Sequence, residues 1–493
     1  MLLALDKRGS LYDQIARAIR VEILEGRIAA GSKLPSTRTL AIALGVSRKS
    51  VLQAYDLLCA EELAIAREGS GTRVGKVGSF TRVSTKIRMV PTSLYALRAR
   101  SLPSITLAGA HISGRPRFDL HYGEPLVDPA LFHSWRRKLA AAALRAGPTY
   151  PLAGGYLPLR RAIAEYLGRR RGIVCDAADI LVVGGTQQAL TLVERVLLNP
   201  GDDVVVEDPH YQLALHSLLA HGARVTSVRT DPEGLVVQEL PRRETRLLLV
   251  TPSHQFPSGV VMTLTRRLEL LRWAARTGSW IFEDDYDTEF HSRVRPLPAL
   301  RSLDLADRVL YVGTFSKSLF PSLRLGFIVC PKALRDDLYR AKLMDDIGSA
   351  TMEQAALGAF IQSGMFEKHL RKTAKELVNR RRAIVAALQR LAGSHIEIGP
   401  HEAGMHLIVW FRHLAFDRLD AFIERAKSLG LGLYPVHPYY RTRPSRPGLL
   451  VGYAGLSVSQ LRTAVELFAQ CLESESPEHV RSGPDTGRLN NGP

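Results

Sequence analysis

Apolar side chains fall along this chain in two rhythms. Over residues 11–60 they recur every three or four positions: Ile15, Ile19 and Ile23, then Leu40, Ala43 and Leu44, then Val51, Ala54, Tyr55 and Leu58. That period gathers them on one side of a helix and predicts three short amphipathic helices. From Phe118 onward, short and nearly continuous apolar runs take over: ILVVG (180–184), DVVVED (203–208), RLLLVTP (246–252), SWIFEDD (279–285) and RVLYVGT (308–314). Strands this rich in Val, Ile and Leu, with amphipathic stretches between them, predict an α/β fold whose mostly parallel sheet is covered on both faces. Residues 76–117 follow neither rhythm and read as a linker, and the polar, Pro- and Gly-rich stretch 475–493 reads as a disordered tail. The expected units are 1–75, 76–117, 118–474 and 475–493.

The first unit has recognisable punctuation. In LPSTRTLAIALGVSRKSVLQAYDLL, Ser36 follows Pro35 as an N-cap, Gly45-Val46 turns the chain, and Ser47 caps the next helix. Two helices joined by so tight a turn form a helix-turn-helix. The second begins Ser47-Arg48-Lys49-Ser50, four donors at a helix N-terminus whose dipole already attracts phosphate. LAIAREGSGTRVG then reads as two short strands about Glu68-Gly69-Ser70-Gly71, a wing.

Charge sharpens this picture. The 493 residues carry a formal net charge of +18, which favours an anionic partner. Residues 77–117 hold seven of the bases (Arg82, Lys86, Arg88, Arg98, Arg100, Arg115 and Arg117) and no acid. No apolar run approaches the roughly 20 residues that a membrane span needs, and the opening MLLALDKRGSLYDQ carries no signal-peptide pattern. The four cysteines are scattered without a CxxC pair, so neither a disulfide framework nor a metal site is expected, and a cytoplasmic location fits.

The larger unit carries the chemistry. In TFSKSLFPSLRLGF (314–327), Lys317 stands just past a strand end, and Thr314, Ser316 and Arg324 together form a set able to grip a phosphate. GGTQQAL (184–190) follows another strand and opens a helix, so its backbone N–H groups and Thr186 offer a second anion site. Glu283-Asp284-Asp285-Tyr286 ends an apolar strand, where a buried acid needs a cationic partner such as a protonated pyridine nitrogen. Tyr286 is placed to reach that ring's phenolic oxygen, and Tyr211, in EDPHYQLAL, to stack on its face. An amine, a ring-nitrogen carboxylate and an anion cradle are what pyridoxal 5'-phosphate requires.

Two resemblances follow from these motifs. LPSTRTLA, GVSRKSVLQAY and EGSGTRV resemble the GntR-type winged-helix family across residues 10–75, which implies contacts to double-stranded DNA from Arg38, Ser47, Arg48, Ser50 and the wing around Gly71, with Lys49 on phosphate. The order GGTQQAL, EDPHY, TPSHQFPSG, FEDDYD and TFSKSLFPSLRLGF resembles fold-type I pyridoxal-phosphate enzymes, the aspartate aminotransferase superfamily, which have a smaller C-terminal α+β subdomain. Joined, the two are similar to MocR/GabR-type transcriptional regulators. The resemblance implies Lys317 as the Schiff-base lysine, Asp284 as the ring-nitrogen partner with Asp285 its rival, Tyr286 on the phenolic oxygen and Tyr211 on the ring. It implies Gly185, Thr186, Gln187, Thr314, Ser316 and Arg324 on the phosphate, and Tyr150 lent to the partner of a homodimer.

Two positions depart from that pattern. Phe256 stands where such enzymes have an asparagine, with His254 or Gln255 as substitutes, and Leu450 stands where they have the arginine that binds a substrate carboxylate. Arg441, Arg443 and Arg446 are the candidates to supply that charge from elsewhere. The leading expectation is a regulator that senses pyridoxal phosphate, or an amine or amino-acid effector through it. The alternative is a working aminotransferase with an accessory DNA-binding domain.

Overall fold

The structure, a computed structural model, describes residues 3–67, 69–76, 91–105, 116–126, 128–145, 147, 149–290, 297–399 and 404–473. It divides into two compact units, Met1–Thr92 and Ser93–Pro493.

In the first unit the periodic segments are helices α1 (Leu11–Leu24), α2 (Thr37–Leu44) and α3 (Arg48–Ala60), followed by the antiparallel pair β1 (Ala64–Arg67) and β2 (Gly71–Val74). The caps are where the residues place them. Ser36 accepts from the Thr39 amide and Ser47 from the Ser50 amide, each at 3.1 Å, while Gly45 closes α2 at φ 65°. Ile15, Ile19, Leu40, Val51, Ala54, Tyr55 and Leu58 make one small core. Ala43, expected to face inward, is exposed, and Ala41 is buried instead, because the inward side of α2 is the one shared by Leu40, Ala41 and Leu44, and position 43 falls beyond its edge.

Residues 76–117, expected to be a linker, contain a helix, α4 (Leu94–Ser101), capped by Ser93. It packs on a helix of the large domain, where Arg98 Nη1 donates to the carbonyl of His221 at 3.2 Å. Leu94, Tyr95 and Leu97 are exposed, so no buried stripe marks α4 in the sequence. Arg82, Lys86, Arg88 and Arg115, the expected wing residue Glu68, and the expected tail lie outside the described residues.

In the second unit, helices α5 (Pro129–Ala143) and α6 (Leu157–Arg171) precede the main sheet. Its strands are β4 (Ile180–Val183), β5 (Asp203–Asp208), β6 (Arg224–Asp231), β7 (Gly234–Leu235), β8 (Leu247–Val250), β9 (Trp280–Asp285), β10 (Val309–Thr314) and β11 (Gly326–Val329); β3 is the two-residue strand Phe118–Asp119. They lie in the order β4-β11-β10-β9-β8-β5-β6-β7. The run from β10 to β6 is parallel, and β11 pairs antiparallel with both β10 and β4. Leu247 and Leu249 pack into one layer and Leu248 and Val250 into the other, so both faces are covered, as continuous apolar strands demand. Helices α7 (Thr186–Leu197) and α8 (Gln212–His221) follow β4 and β5. Ligands in such sheets bind at the carboxyl ends of the strands, and here Asp208, Asp285 and Thr314 all end strands. A three-stranded antiparallel sheet, β12 (Ile396–Ile398), β13 (His406–Phe411) and β15 (Gly448–Gly452), builds the smaller subdomain, with β14 (Leu431–Gly432) paired to β3. Among the described residues no helix is long and apolar enough to cross a membrane.

Candidate functional site

The pleat of β9 sorts its acids. Glu283 is fully buried and accepts the backbone N–H groups of Leu300 and Arg301 at 2.8 and 2.9 Å. Asp285 points the same way, alternate residues of a strand sharing a face. It accepts from Arg171, 2.6 Å away and 6% exposed at the end of α6, and from the Tyr311 hydroxyl at 2.5 Å. Asp284 faces the other side, where the hydroxyl of Thr186 is at 3.4 Å. Burial, reinforced by the Asp285 charge, pushes the Asp284 carboxyl up to about 7. The two acids the sequence leaves as rivals therefore have different surroundings: Asp285 is neutralised in the core, and Asp284 lines a cleft with Thr186, Gln187 and Tyr211.

The anion cradle lies beside it. Gly185 is the N-cap of α7 at φ 99°, and no side chain caps that helix, so its first amides stay open. A Cβ on Gly185 would sit 3.3–3.5 Å from the Arg324 guanidinium. Arg324 itself holds a left-handed φ of 49°, a conformation that costs a non-glycine residue roughly 1–2 kcal/mol, and its Nη2 donates to the Gly184 carbonyl at 2.6 Å. Strand β11 approaches so closely that a Cβ on Gly326 would meet the Gly313 carbonyl at 2.8 Å and Gly185 Cα at 3.0 Å. Thr314 and Ser316 are buried at the end of β10, with the Ser316 amide donating to Thr314 Oγ1. Gln187 Oε1 is buried without a hydrogen-bond partner among the described residues.

Lys317 Nζ donates to the Gly123 carbonyl at 2.8 Å. Burial lowers its pKa against the opposing charges of Asp287, Asp284 and Glu124. Tyr211 is the N-cap residue of α8 and meets Phe256 edge-on, ring centroids 6.1 Å apart. Phe256 also touches Tyr122, Tyr286 and Tyr439. Of the two substitutes for the missing asparagine, Gln255 is committed to structure, its amide donating to the carbonyls of Pro209 and Phe256 and accepting from Ser258. His254 Nδ1 stands 3.0 Å from the Tyr286 hydroxyl.

Leu450 is 1% exposed on β15, in a cluster with Phe256, Ile408, Val436 and Tyr439. The three arginines considered as replacements are occupied elsewhere. Arg441 donates to the Val225 carbonyl, Arg443 lies 3.8 Å from the Phe416 ring centroid, and Arg446 pairs with Glu397 at 2.8 Å. Tyr150 is 84% exposed in the single chain. Sequence reasoning missed Arg171 and Tyr311, the partners of Asp285, and Gly123, the acceptor for Lys317. Arg171 belongs to a run of three arginines that looks like a solvated helix end, and nothing local points it inward.

In the first unit, Arg38, Ser47, Arg48, Lys49 and Gly71 are exposed and Ser50 is half-buried. Arg38 and Arg48 line one concavity with Ile42 and Val46. Ser47 and Ser50 spend their hydroxyls on each other at 2.8 Å, which leaves Lys49 and Arg48, whose Nε donates to Thr37 Oγ1 at 3.3 Å, as the cationic donors of the first turn of α3. The wing brings Lys33 beside Gly71, an addition that the sequence does not mark.

Comparison with known proteins agrees with both halves. Residues 11–74 match the family described as bacterial regulatory proteins, gntR family, and residues 116–468 match aminotransferase class I and II. Among curated relatives, the probable rhizopine catabolism regulatory protein MocR of Rhizobium meliloti is 34% identical over 476 residues, covering 94% of each chain. The pyridoxine biosynthesis transcriptional regulator PdxR of Corynebacterium glutamicum is 30% identical, covering 92% of this chain and 94% of its own. Among solved structures, a Pyrococcus horikoshii kynurenine aminotransferase superposes with a TM-score of 0.67 at 26% identity, over 81% of this chain and 98% of its own. A gntR-type head that binds DNA, an aminotransferase fold that implies pyridoxal-phosphate dependence, and regulators that match end to end place this chain in the MocR-type family of transcriptional regulators.

Proposed function

We propose that the large domain holds pyridoxal 5'-phosphate as its sensing group, and that the state of this group sets how the head grips a DNA operator. The observation that carries the reading is the sorting of acids on β9: Asp285 and Glu283 are held by protein donors, and Asp284, which accepts from Thr186, faces the cleft on the side of Lys317. The donor set fits the cofactor. The open amides at Gly185 and Thr186, with Arg324, Ser316 and Thr314, would hold the phosphate; Gln187, whose Oε1 has no hydrogen-bond partner among the described residues, would add its side-chain NH2 as a donor; Tyr211 would cover the ring and Tyr286 meet its phenolic oxygen.

When bound, the cofactor supplies an aldehyde that condenses with amines and a ring that withdraws electrons. Lys317 provides the amine that fixes it, and burial favours the neutral, nucleophilic form of that amine. Asp284 holds the proton at the ring nitrogen. An amine or amino-acid effector would displace Lys317, and differential contacts in the two states would bias the heads. Leu450 and its apolar neighbours weigh against routine amino-acid transamination, since an unpaired buried carboxylate is heavily penalised.

The protein acts as a homodimer in this reading, in the cytoplasm. Leu152, Met344, Ile347 and Met352 are exposed apolar side chains, and Gly348 abuts the carbonyl of Leu152, so the loop bearing Tyr150 borders an apolar patch that a second copy would cover. Borohydride reduction of the purified protein, followed by peptide mapping, tests the cofactor assignment. Label on Lys317 supports it, and label on another lysine refutes it. Lys317→Ala should remove the visible absorbance band, and with it any response of operator binding to the cofactor, while the head still binds DNA.

A further inference from the structure

Behind Tyr286 lies a pair of groups that none of these roles uses. Asp287 is 0% exposed and His254 2%, and Asp287 Oδ2 stands 2.8 Å from His254 Nδ1. The same nitrogen is 3.0 Å from the Tyr286 hydroxyl. A ring nitrogen carries either one hydrogen or one lone pair, so the two oxygens compete for it. An ionised carboxylate only accepts, so the hydrogen belongs on Nδ1, directed at Asp287. Nδ1 then has no lone pair with which to take the phenol's proton. The Tyr286 O–H is left to point elsewhere.

The surroundings keep this arrangement in place. Gly404, at φ 81°, lies against the pair so closely that a Cβ there would run into His254 Cε1 and Asp287 Oδ2. His406 packs on the other side, its ring centroid 5.3 Å from that of His254, and its Nε2 is 3.0 Å from the Pro257 carbonyl. Burial drives the His406 pKa down to about 4, so this second imidazole is neutral and adds no charge beside the pair. Among the described residues, Lys317, Asp284 and Glu289 are charged groups that interact with Asp287.

We infer that Asp287 is a positioning residue: by fixing the His254 hydrogen at Nδ1, it makes Tyr286 a hydrogen-bond donor to the phenolic oxygen of the cofactor. This rests on the pyridoxal-phosphate reading above. The geometry has the logic of an acid that holds an imidazole in one tautomer, with the hydroxyl of Tyr286, rather than a nucleophile, as the group controlled.

The test is a double-mutant cycle on cofactor affinity, measured by titrating the full-length protein with pyridoxal phosphate and following absorbance. Asp287→Asn, which lets an amide donate to Nδ1 and reverse the tautomer, should weaken binding about five- to tenfold. Tyr286→Phe should cost a similar factor. The combination should be no weaker than Tyr286→Phe alone, because Asp287 acts only through that hydroxyl. His254→Gln should behave as Asp287→Asn does, with a loss when Tyr286 is present and none without it, and urea midpoints of all variants identify any that fail to fold. Losses that multiply in the double variants, or an unchanged affinity in Asp287→Asn, overturn the inference and leave the cofactor assignment standing. A wild-type protein that binds no pyridoxal phosphate brings down both.

Discussion

Replacing Arg324 with alanine removes the guanidinium that lies 3.3–3.5 Å from where a Cβ on Gly185 would sit. One of its donors is spent on the Gly184 carbonyl, and an arginine has five, so four remain, enough for a bidentate grip on phosphate. A hydrogen bond to a charged group contributes about 1.5–3 kcal/mol. Arg324 is exposed to solvent in the single chain, which places each bond at or below the lower end. The loss is then about 2–3 kcal/mol, or roughly 30- to 150-fold in affinity. The assay is a pair of absorbance titrations, one with pyridoxal phosphate and one with pyridoxal, which has the same ring and aldehyde but no phosphate. Arg324→Ala should lose its factor for the first ligand and almost none for the second. Arg324→Lys should recover only part, because a lysine keeps the charge without the fork. Equal losses for both ligands, or a loss below threefold for pyridoxal phosphate, would show that the phosphate is held elsewhere.

Three other outcomes follow from the same contacts. Arg171→Leu should cost about 3–5 kcal/mol of stability in urea unfolding, because it strands a buried Asp285; adding Asp285→Asn should restore most of it, and additive losses would contradict the pairing. In the cofactor-free protein Asp284 has its pKa raised to about 7 from 3.8, so the folded state binds the extra proton between those values and loses stability as pH rises through the window; Asp284→Asn should flatten that slope by up to one proton's worth, and identical slopes would remove the burial argument. Arg48→Ala should weaken binding to the operator far more than to scrambled duplex in a salt titration, since a guanine contact is worth about 1–3 kcal/mol of discrimination. Equal losses on the two duplexes would leave Arg48 as a phosphate contact only.

Much of the fold is readable because local chemistry and tertiary structure agree. Ser36, Gly45 and Ser47 punctuate α2 and α3 by capping alone, and the central strands announce themselves by being apolar on both faces. The helix α4 is not readable, because its apolar residues face solvent and its anchor is one arginine on a distant carbonyl. The site is half legible. Residues that sit at the turn after a strand, such as Gly185 and Lys317, carry their meaning in their neighbours. The choice between Asp284 and Asp285 does not, because the pleat assigns them opposite faces without saying which face is the cleft; that depends on Arg171, more than a hundred positions away. The Asp287–His254 pair is hidden in the same way, each half ordinary until the two loops meet.

The pleat of β9 also governs which sequence changes this domain tolerates. Asp284 and Asp285 are one position apart and cannot trade roles by turning a side chain, since successive residues of a strand leave on opposite faces. Loss or gain of a single residue between Trp280 and Glu283 would do what no substitution there can. It would carry Asp285, the counter-charge of Arg171, out into the cleft and turn Asp284 to the face that holds Arg171 and Tyr311. Substitutions in this strand are therefore graded insults, whereas length changes are inversions, and the two apolar faces of β9 are what hold its length to a fixed count.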